Sequence, residues 1–250
     1  MDNSLIPPAQ IRLLVGPFAD EDYYRSTAHD FVQTLRTYGK LRPEDRILDV
    51  GCGCGRVAAA LTDYLDPSGG YEGMDVIPTL VEWCQANISL KFPIFRFHLV
   101  DVASRYYNPF GRLSASQVHF PFADASFDFA MACSLYTHML HEDAENYLRE
   151  THRVLKRGGT LLASFFLLNP ESVKSIAKKR TIFRFRHRFG PCRTSDPQKP
   201  EKEVAYDEDY VLDLMSRLGF QLDEPVQHGT WSTTKSPLNT QDYIAAKRAT

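Results

Sequence analysis

In the stretch RILDVGCGCGR, Arg46 to Arg56, an acid is followed by glycines at every second position: Asp49, Gly51, Gly53 and Gly55, with Cys52 and Cys54 between them. Three chemistries use such a segment: a metal knuckle, a phosphate cradle, or a turn that offers bare backbone to some other ligand. A structural zinc site needs four ligands, and no second Cys/His pair at knuckle spacing joins Cys52 and Cys54, so no metal is expected. A phosphate P-loop ends in Gly-Lys-Ser/Thr, where this chain has Arg56-Val57. The dinucleotide fingerprint wants its third glycine at the position of Arg56. What remains is a sharp turn whose missing Cβ atoms let a ligand lie against main-chain amides at the mouth of the next helix.

This Asp-x-Gly-x-Gly-x-Gly run resembles the first motif of the class I S-adenosylmethionine-dependent methyltransferases, and later residues extend the resemblance in order. Asp75 ends the run YEGMD, Asp101 stands in LVDVAS, Ser134 ends FDFAMACS, and LRETHRVLKRGGTLLASF is similar to the family's fourth-strand helix, glycine turn and fifth strand. The resemblance implies S-adenosylmethionine as cofactor, with Asp49 accepting from its ammonium group and Gly51, Cys52, Gly53 and Gly55 lining its backbone cradle. It implies that Asp75, beside Val76, takes the ribose hydroxyls. Asp101 would take the adenine amine, the Val102 amide a ring nitrogen, and Ser134 would sit beside the methionine moiety. Taken singly, each strand-end aspartate is equally a turn former or helix cap, and their register behind the loop is what joins them.

Methyl transfer from a sulfonium asks an enzyme to align a nucleophile and exclude water, with acid-base help only where the nucleophile arrives protonated. Ligands sit outside the carboxyl ends of strands in open α/β sheets, which directs attention to SLYTHMLHED beyond the fourth strand. His138 is the first candidate for a base or positioning group, with Tyr136 and His141 next; His138 reads equally as a helix-terminal histidine bonded to backbone. His228, Trp231 and Tyr24 are candidates for closing the acceptor pocket, Trp231 reading more readily as packing. The Asp/Asn-Pro-Pro-aromatic motif that resembles amino-group nucleic-acid methyltransferases is missing, as is a Pro-Cys nucleophile. The resemblance therefore implies methyl transfer to an oxygen or nitrogen of a small molecule. An RNA-modifying methyltransferase and a non-catalytic S-adenosylmethionine-binding protein are the alternatives.

The elements that must position these residues alternate. β-rich runs at RILDV, YEGMDV, FRFHLVDV, FDFAMACS and TLLASFFLL are separated by segments of helical spacing, RVAAALTDYL, PTLVEWCQANI and EDAENYLRETHRVL, the last expected to end at Lys156-Arg157-Gly158. Alternation requires crossovers, hence an α/β fold: a doubly wound, mostly parallel, Rossmann-like sheet with helices on both faces. Residues 1–45 are expected as an N-terminal helical region, and 169–206, proline-rich and basic, as a small inserted cap within a single domain. In that cap Arg184, Arg186 and Arg188 alternate with Phe183, Phe185 and His187, a strand period with cations on one face. A helix, DEDYVLDLMSRLGF, and two more strands, QLDEPVQHGTW and QDYIAAKR, complete the chain.

With 29 Lys+Arg against 31 Asp+Glu, no global charge favours a nucleic acid or an anionic membrane. An acidic second residue, two early prolines and no long apolar run argue against a leader or a membrane span. Five cysteines, an odd number in apolar or glycine-rich settings, read as reduced thiols of a cytoplasmic protein.

Overall fold

A computed structural model describes residues 1–233 and 241–250. Strands β1 (Arg46–Val50), β2 (Gly70–Asp75), β4 (Phe127–Ala132) and, from Gly159 on, β5 (Leu155–Phe165) are nearly all buried, the signature of strands covered on both faces, whereas β3 (Phe95–Leu99), at the edge of the sheet, alternates buried and exposed positions. Side-chain alternation divides the covering: Leu48, Val50, Ala130 and Ala132 face one core, whereas Ile47, Phe129 and Met131 face the other.

The intervening helices are α1 (Ala9–Arg12), α2 (Glu21–Thr37), α3 (Arg56–Leu61), α4 (Pro78–Cys84, continued by a π turn over Gln85–Ser89) and α5 (His141–Val154). Asp20 starts α2 by accepting from the Tyr23 N–H at 2.7 Å, and Glu21 and Asp22 complement the dipole. Tyr24, Ala28, Phe31, Val32 and Leu35 then fall on its buried face. After β5 the chain passes into β6 (Leu167–Leu168), α6 (Pro170–Ala177), β7 (His187–Phe189), β8 (Cys192–Thr194) and β9 (Val204–Asp207). It ends with α7 (Glu208–Arg217), β10 (Phe220–Leu222) and β11 (Asp242–Arg248).

The main sheet has the order β10-β11-β5-β4-β1-β2-β3, parallel except for β11, which runs antiparallel to both neighbours. From central β1 the chain goes outward through β2 and β3, then returns to β4 on the other side. The order thus reverses between β1 and β4, and a crevice opens above their carboxyl tips. A second sheet, β6-β9-β8-β7, stands beyond the end of β5 and is pinned near that crevice by the Tyr206 hydroxyl, which donates to the Met139 carbonyl at 2.6 Å.

Several boundaries differ from expectation. Helix α5 stops at Val154, and Lys156–Gly158 belong to the start of β5, where the pairing jumps from Phe127↔Leu155 to Phe129↔Thr160. Gly158, at φ +76°, turns this bulge instead of capping the helix. β3 ends at Leu99 and β4 at Ala132, so Asp101, Val102 and Ser134 lie in the loops beyond; Ser134 has φ +58°. QLDEPVQHGTW contributes only Phe220–Leu222 and an isolated bridge, Gln227↔Tyr243. In the 183–188 segment the burial alternates, Phe183 and Phe185 inward and Arg184, Arg186 and Arg188 outward, yet only His187–Phe189 pairs as a strand.

Candidate functional site

The tips of β1, β2 and β4 border a cavity of about 200 Å³. Its floor is the glycine loop. Gly51 and Cys52 both donate their N–H to the Met74 carbonyl, at 2.8 and 3.0 Å, which folds the loop back over β2. Gly53 and Gly55 have φ of +55° and +74°, and a Cβ on them would lie 3.0 Å from Val15 Cγ1 and 2.6 Å from Ile88 Cδ1 respectively. Only glycine fits both demands, and Gly55 forms the N-cap from which α3 departs.

Two carboxylates define the polar wall. Asp75 accepts from the Gly53 N–H at 2.8 Å on one oxygen and from the Ile77 N–H at 3.0 Å on the other. A carboxylate has about four acceptor positions, so two remain for a ligand. Burial raises its pKa, opposed by these backbone bonds. Asp49, 2% exposed, accepts from the Tyr71 hydroxyl. Burial pushes its pKa up to about 7, against the pull of the Tyr71 bond, and the charge of Asp75 adds to the rise. Such a carboxylate is set to receive a cation. Cys52, Val76 and Ser134 line the same cavity, so eight of the residues expected at the cofactor are brought together: Asp49, Gly51, Cys52, Gly53, Asp75, Val76, Val102 and Ser134.

The roof was not foreseen. Val15 and Phe18 line the cavity, and the Arg56 guanidinium lies 5.1 Å from the centre of the Phe18 ring, with a contact of 3.5 Å to Cys133 Sγ. Arg12, 3% exposed, ties this N-terminal segment together by donating to the carbonyls of Pro7 (3.0 Å), Phe18 (2.9 Å) and Ala19 (2.7 Å) and to Glu21 (3.1 Å). One arginine inside the apolar run QIRLLV was the available signal.

Beyond β4, the 3-10 turn Tyr136–His138 sends neighbouring residues in different directions. His138 lines the cavity, its ring edge-on to Tyr107 at 5.4 Å and its Nδ1 3.2 Å from the Glu201 carbonyl. A carbonyl only accepts, so Nδ1 carries the proton and Nε2 keeps its lone pair. Burial lowers the His138 pKa, partly offset by backbone carbonyls of Glu201 and Lys202, which keeps the ring neutral near pH 7. Glu201 also accepts from Ser104 Oγ (3.2 Å) and the Arg105 N–H (3.1 Å), linking the second sheet to the loop after β3.

Other expected residues lie elsewhere. Asp101 is outside the cavity: Arg112, eleven positions on, captures its carboxylate at 2.5 Å and holds its pKa low. The Val102 N–H already donates to the Val100 carbonyl at 2.8 Å, although Val102 lines the cavity with its other atoms. Tyr136 is fully buried and stacks on Phe165 at 4.8 Å, a core residue and not an acceptor contact. His141 lies under Gly190 of the β7–β8 turn, its ring 3.1 Å from where a Gly190 Cβ would stand. Tyr24 is fully buried behind the loop, with its hydroxyl 3.4 Å from Cys54 Sγ. Trp231 is fully buried among Phe166 and Phe185, its Nε1 donating to Asp242 at 2.6 Å. His228 bonds Glu208 (2.8 Å) and Asn169 (3.1 Å) and lines a second cavity of about 480 Å³, which shares Arg56, Cys133 and Ser134 with the first. Gly55 turns the loop from behind without lining either cavity.

Residues 48–163 match the family model described as a methyltransferase domain. The chain is 33% identical over 130 residues to the 27-O-demethylrifamycin SV methyltransferase of Amycolatopsis mediterranei, a match covering 52% of this chain and 42% of that protein. It is 31% identical over 119 residues to the arsenite methyltransferase of Aquipseudomonas alcaligenes, covering 48% and 32%. The matches thus span under half the length of these curated relatives. Among solved structures, a SAM-dependent methyltransferase from Methanosarcina mazei shares the fold with a TM-score of 0.57 at 20% identity, covering 85% of this chain and 96% of that one. The sheet order, the glycine loop with its two aspartates, and these matches agree: residues 48–163 match a methyltransferase domain, within a fold shared with solved S-adenosylmethionine-dependent methyltransferases.

Proposed function

We propose that this protein transfers a methyl group from S-adenosylmethionine to an oxygen or nitrogen of a small molecule. S-adenosylmethionine, when bound, supplies an electrophilic methyl on a sulfonium. The donor residues fit it: Asp49 takes the ammonium, the Gly51–Gly53 backbone and Cys52 cradle the amino-acid portion, and the two unused acceptor positions of Asp75 take the ribose hydroxyls. Val76, Ile77, Leu80 and Val102 supply apolar walls for the base. Ser134 stands at the β4 tip, its amide tied to Ser164 Oγ at 2.7 Å and its hydroxyl to Gln241 at 3.1 Å. Residues 169–206 act as a cap over the acceptor end.

One observation carries the catalytic part of this reading: His138 faces the donor cavity as a neutral imidazole whose Nδ1–H is spent on a backbone carbonyl. Its Nε2 then takes the proton of an acceptor hydroxyl or ammonium. The small-molecule relative 27-O-demethylrifamycin SV methyltransferase supports the acceptor class. The experiment is turnover against pH for wild type and His138→Ala, following S-adenosylhomocysteine release with a panel of small hydroxyl and amine acceptors. General-base loss is expected to lower kcat by roughly 10²–10⁴ and to remove the acid limb of the profile. Unchanged kcat with an unchanged profile removes His138 from the reaction, and no turnover by wild type with any acceptor favours a binding protein without catalysis.

A further inference from the structure

We infer, on the basis of the methyl-transfer reading above, that the acceptor is a small molecule carrying a positively charged amine, and that Asp143 and Tyr147 recognise it. Both residues sit on α5, four positions apart and therefore on one face of the helix, and both line the donor cavity. Asp143 is half-buried, and its carboxylate has no ion pair or hydrogen bond among the described residues. Exposed Glu142 already places a negative charge in the first turn of α5, so the helix dipole does not require Asp143 to face inward. Tyr147 is 4% exposed, and its hydroxyl has no hydrogen-bond partner among the described residues. That hydroxyl lines the cavity, where a ligand reaching into this wall can bond it.

The charges around these two residues choose the ligand. Across the cavity stands Glu201, a second carboxylate, whose charge adds to burial in raising the proton affinity of Asp143. Arg56 is the one lysine or arginine among the described lining residues, and its guanidinium is taken up by the Phe18 ring and Cys133. A carboxylate or phosphate acceptor would be repelled from this end, and a neutral alcohol would leave Asp143 with no counter-charge beyond the neighbouring His141 ring. An ammonium pairs with Asp143, donates to the Tyr147 oxygen and lies within reach of the Tyr107 ring, whose π-face attracts cations. His138 lines the same end, its Nε2 free to take the proton that an amine must lose before it is a nucleophile.

The probes are phenethylamine and 2-phenylethanol, near-isosteric and differing in charge, titrated calorimetrically into protein saturated with S-adenosylhomocysteine. Wild type is expected to bind the amine at least about tenfold more tightly than the alcohol, a difference of about 1.4 kcal/mol. Asp143→Asn is expected to bring the two within about twofold while leaving S-adenosylhomocysteine affinity unchanged. Asp143→Ser serves as a second replacement that retains a helix-starting side chain. Equal or tighter binding of the alcohol, binding of neither probe, or discrimination that survives both substitutions overturns the proposal. Failure of S-adenosylhomocysteine itself to bind overturns the methyl-transfer reading beneath it, and is a separate result.

Discussion

Asp49 should make the free protein less stable as the pH rises, and only cofactor binding should reverse the effect. Its carboxyl is fully enclosed and its pKa stands near 7, against an ordinary 3.8. Between those two values the native state holds a proton that the unfolded chain has released, so stability falls as pH climbs from about 4 to about 7 and is flat above. Three units at about 1.36 kcal/mol each amount to roughly 4 kcal/mol. Asp49→Asn keeps an oxygen for the Tyr71 hydroxyl but cannot ionise. Relative to wild type, the variant should therefore gain stability with rising pH, by up to about 4 kcal/mol between pH 4 and pH 8. Comparing the two proteins by denaturant melts at each pH cancels every other titrating group. The ligand arm is independent of folding. An ammonium beside Asp49 favours its ionised form, so S-adenosylhomocysteine binding at pH 6 should release about one proton, read by calorimetry in buffers of different ionisation enthalpy. Asp49→Asn should lose both that proton and most of the affinity. A stability difference that is constant from pH 4 to pH 8, or wild-type binding without proton release, would refute the reasoning.

Asp75→Ala should weaken S-adenosylhomocysteine by on the order of 1–3 kcal/mol, measured calorimetrically, because a pair of charge-assisted hydrogen bonds disappears. Gly53→Ala should weaken the same ligand by tenfold or more while lowering Tm by only a few degrees, since a left-handed alanine costs roughly 1–2 kcal/mol and its Cβ meets Val15. Arg12→Met should cost about 3 kcal/mol in a denaturant melt and also weaken cofactor, for it strands three carbonyls and loosens the segment bearing Phe18. Tyr136→Phe should leave stability within about 1 kcal/mol and kcat unchanged, because its buried hydroxyl makes no well-formed hydrogen bond among the described residues, the Thr151 hydroxyl being its nearest polar neighbour; a large fall in kcat would return Tyr136 to the acceptor site.

The donor half of the site was legible because strand tips and glycine turns are local. Asp49 stands next to the tip of the mostly apolar run RILDV and Asp75 at the end of YEGMD, both buried strands, and Gly53 and Gly55 stand where a turn must take positive φ. Asp101 looked equivalent by the same reasoning and is not, because its fate depends on Arg112, which a loop of no regular spacing brings back. Beyond β4, residue types were informative and directions were not. A single 3-10 turn puts Tyr136 in the core and His138 in the cavity, and nothing in YTH announces which way the turn faces. Trp231 and Tyr24 were drawn inward by the ordinary burial of large rings. The roof, Val15 and Phe18 held by Arg12, depends on one arginine reaching four partners between Pro7 and Glu21, a pattern with no period to read.

Glu201 joins two functions through one residue. Its main-chain carbonyl sets which nitrogen of His138 is basic, while its carboxylate anchors the backbone at Arg105 and the Ser104 hydroxyl. If residues 169–206 cap the acceptor as proposed, insertions or deletions there would therefore alter the shape of the acceptor chamber and the tautomer of its histidine in the same event. Among relatives of this chain, diversification of that stretch should accordingly track the acidity of the group methylated as closely as its size.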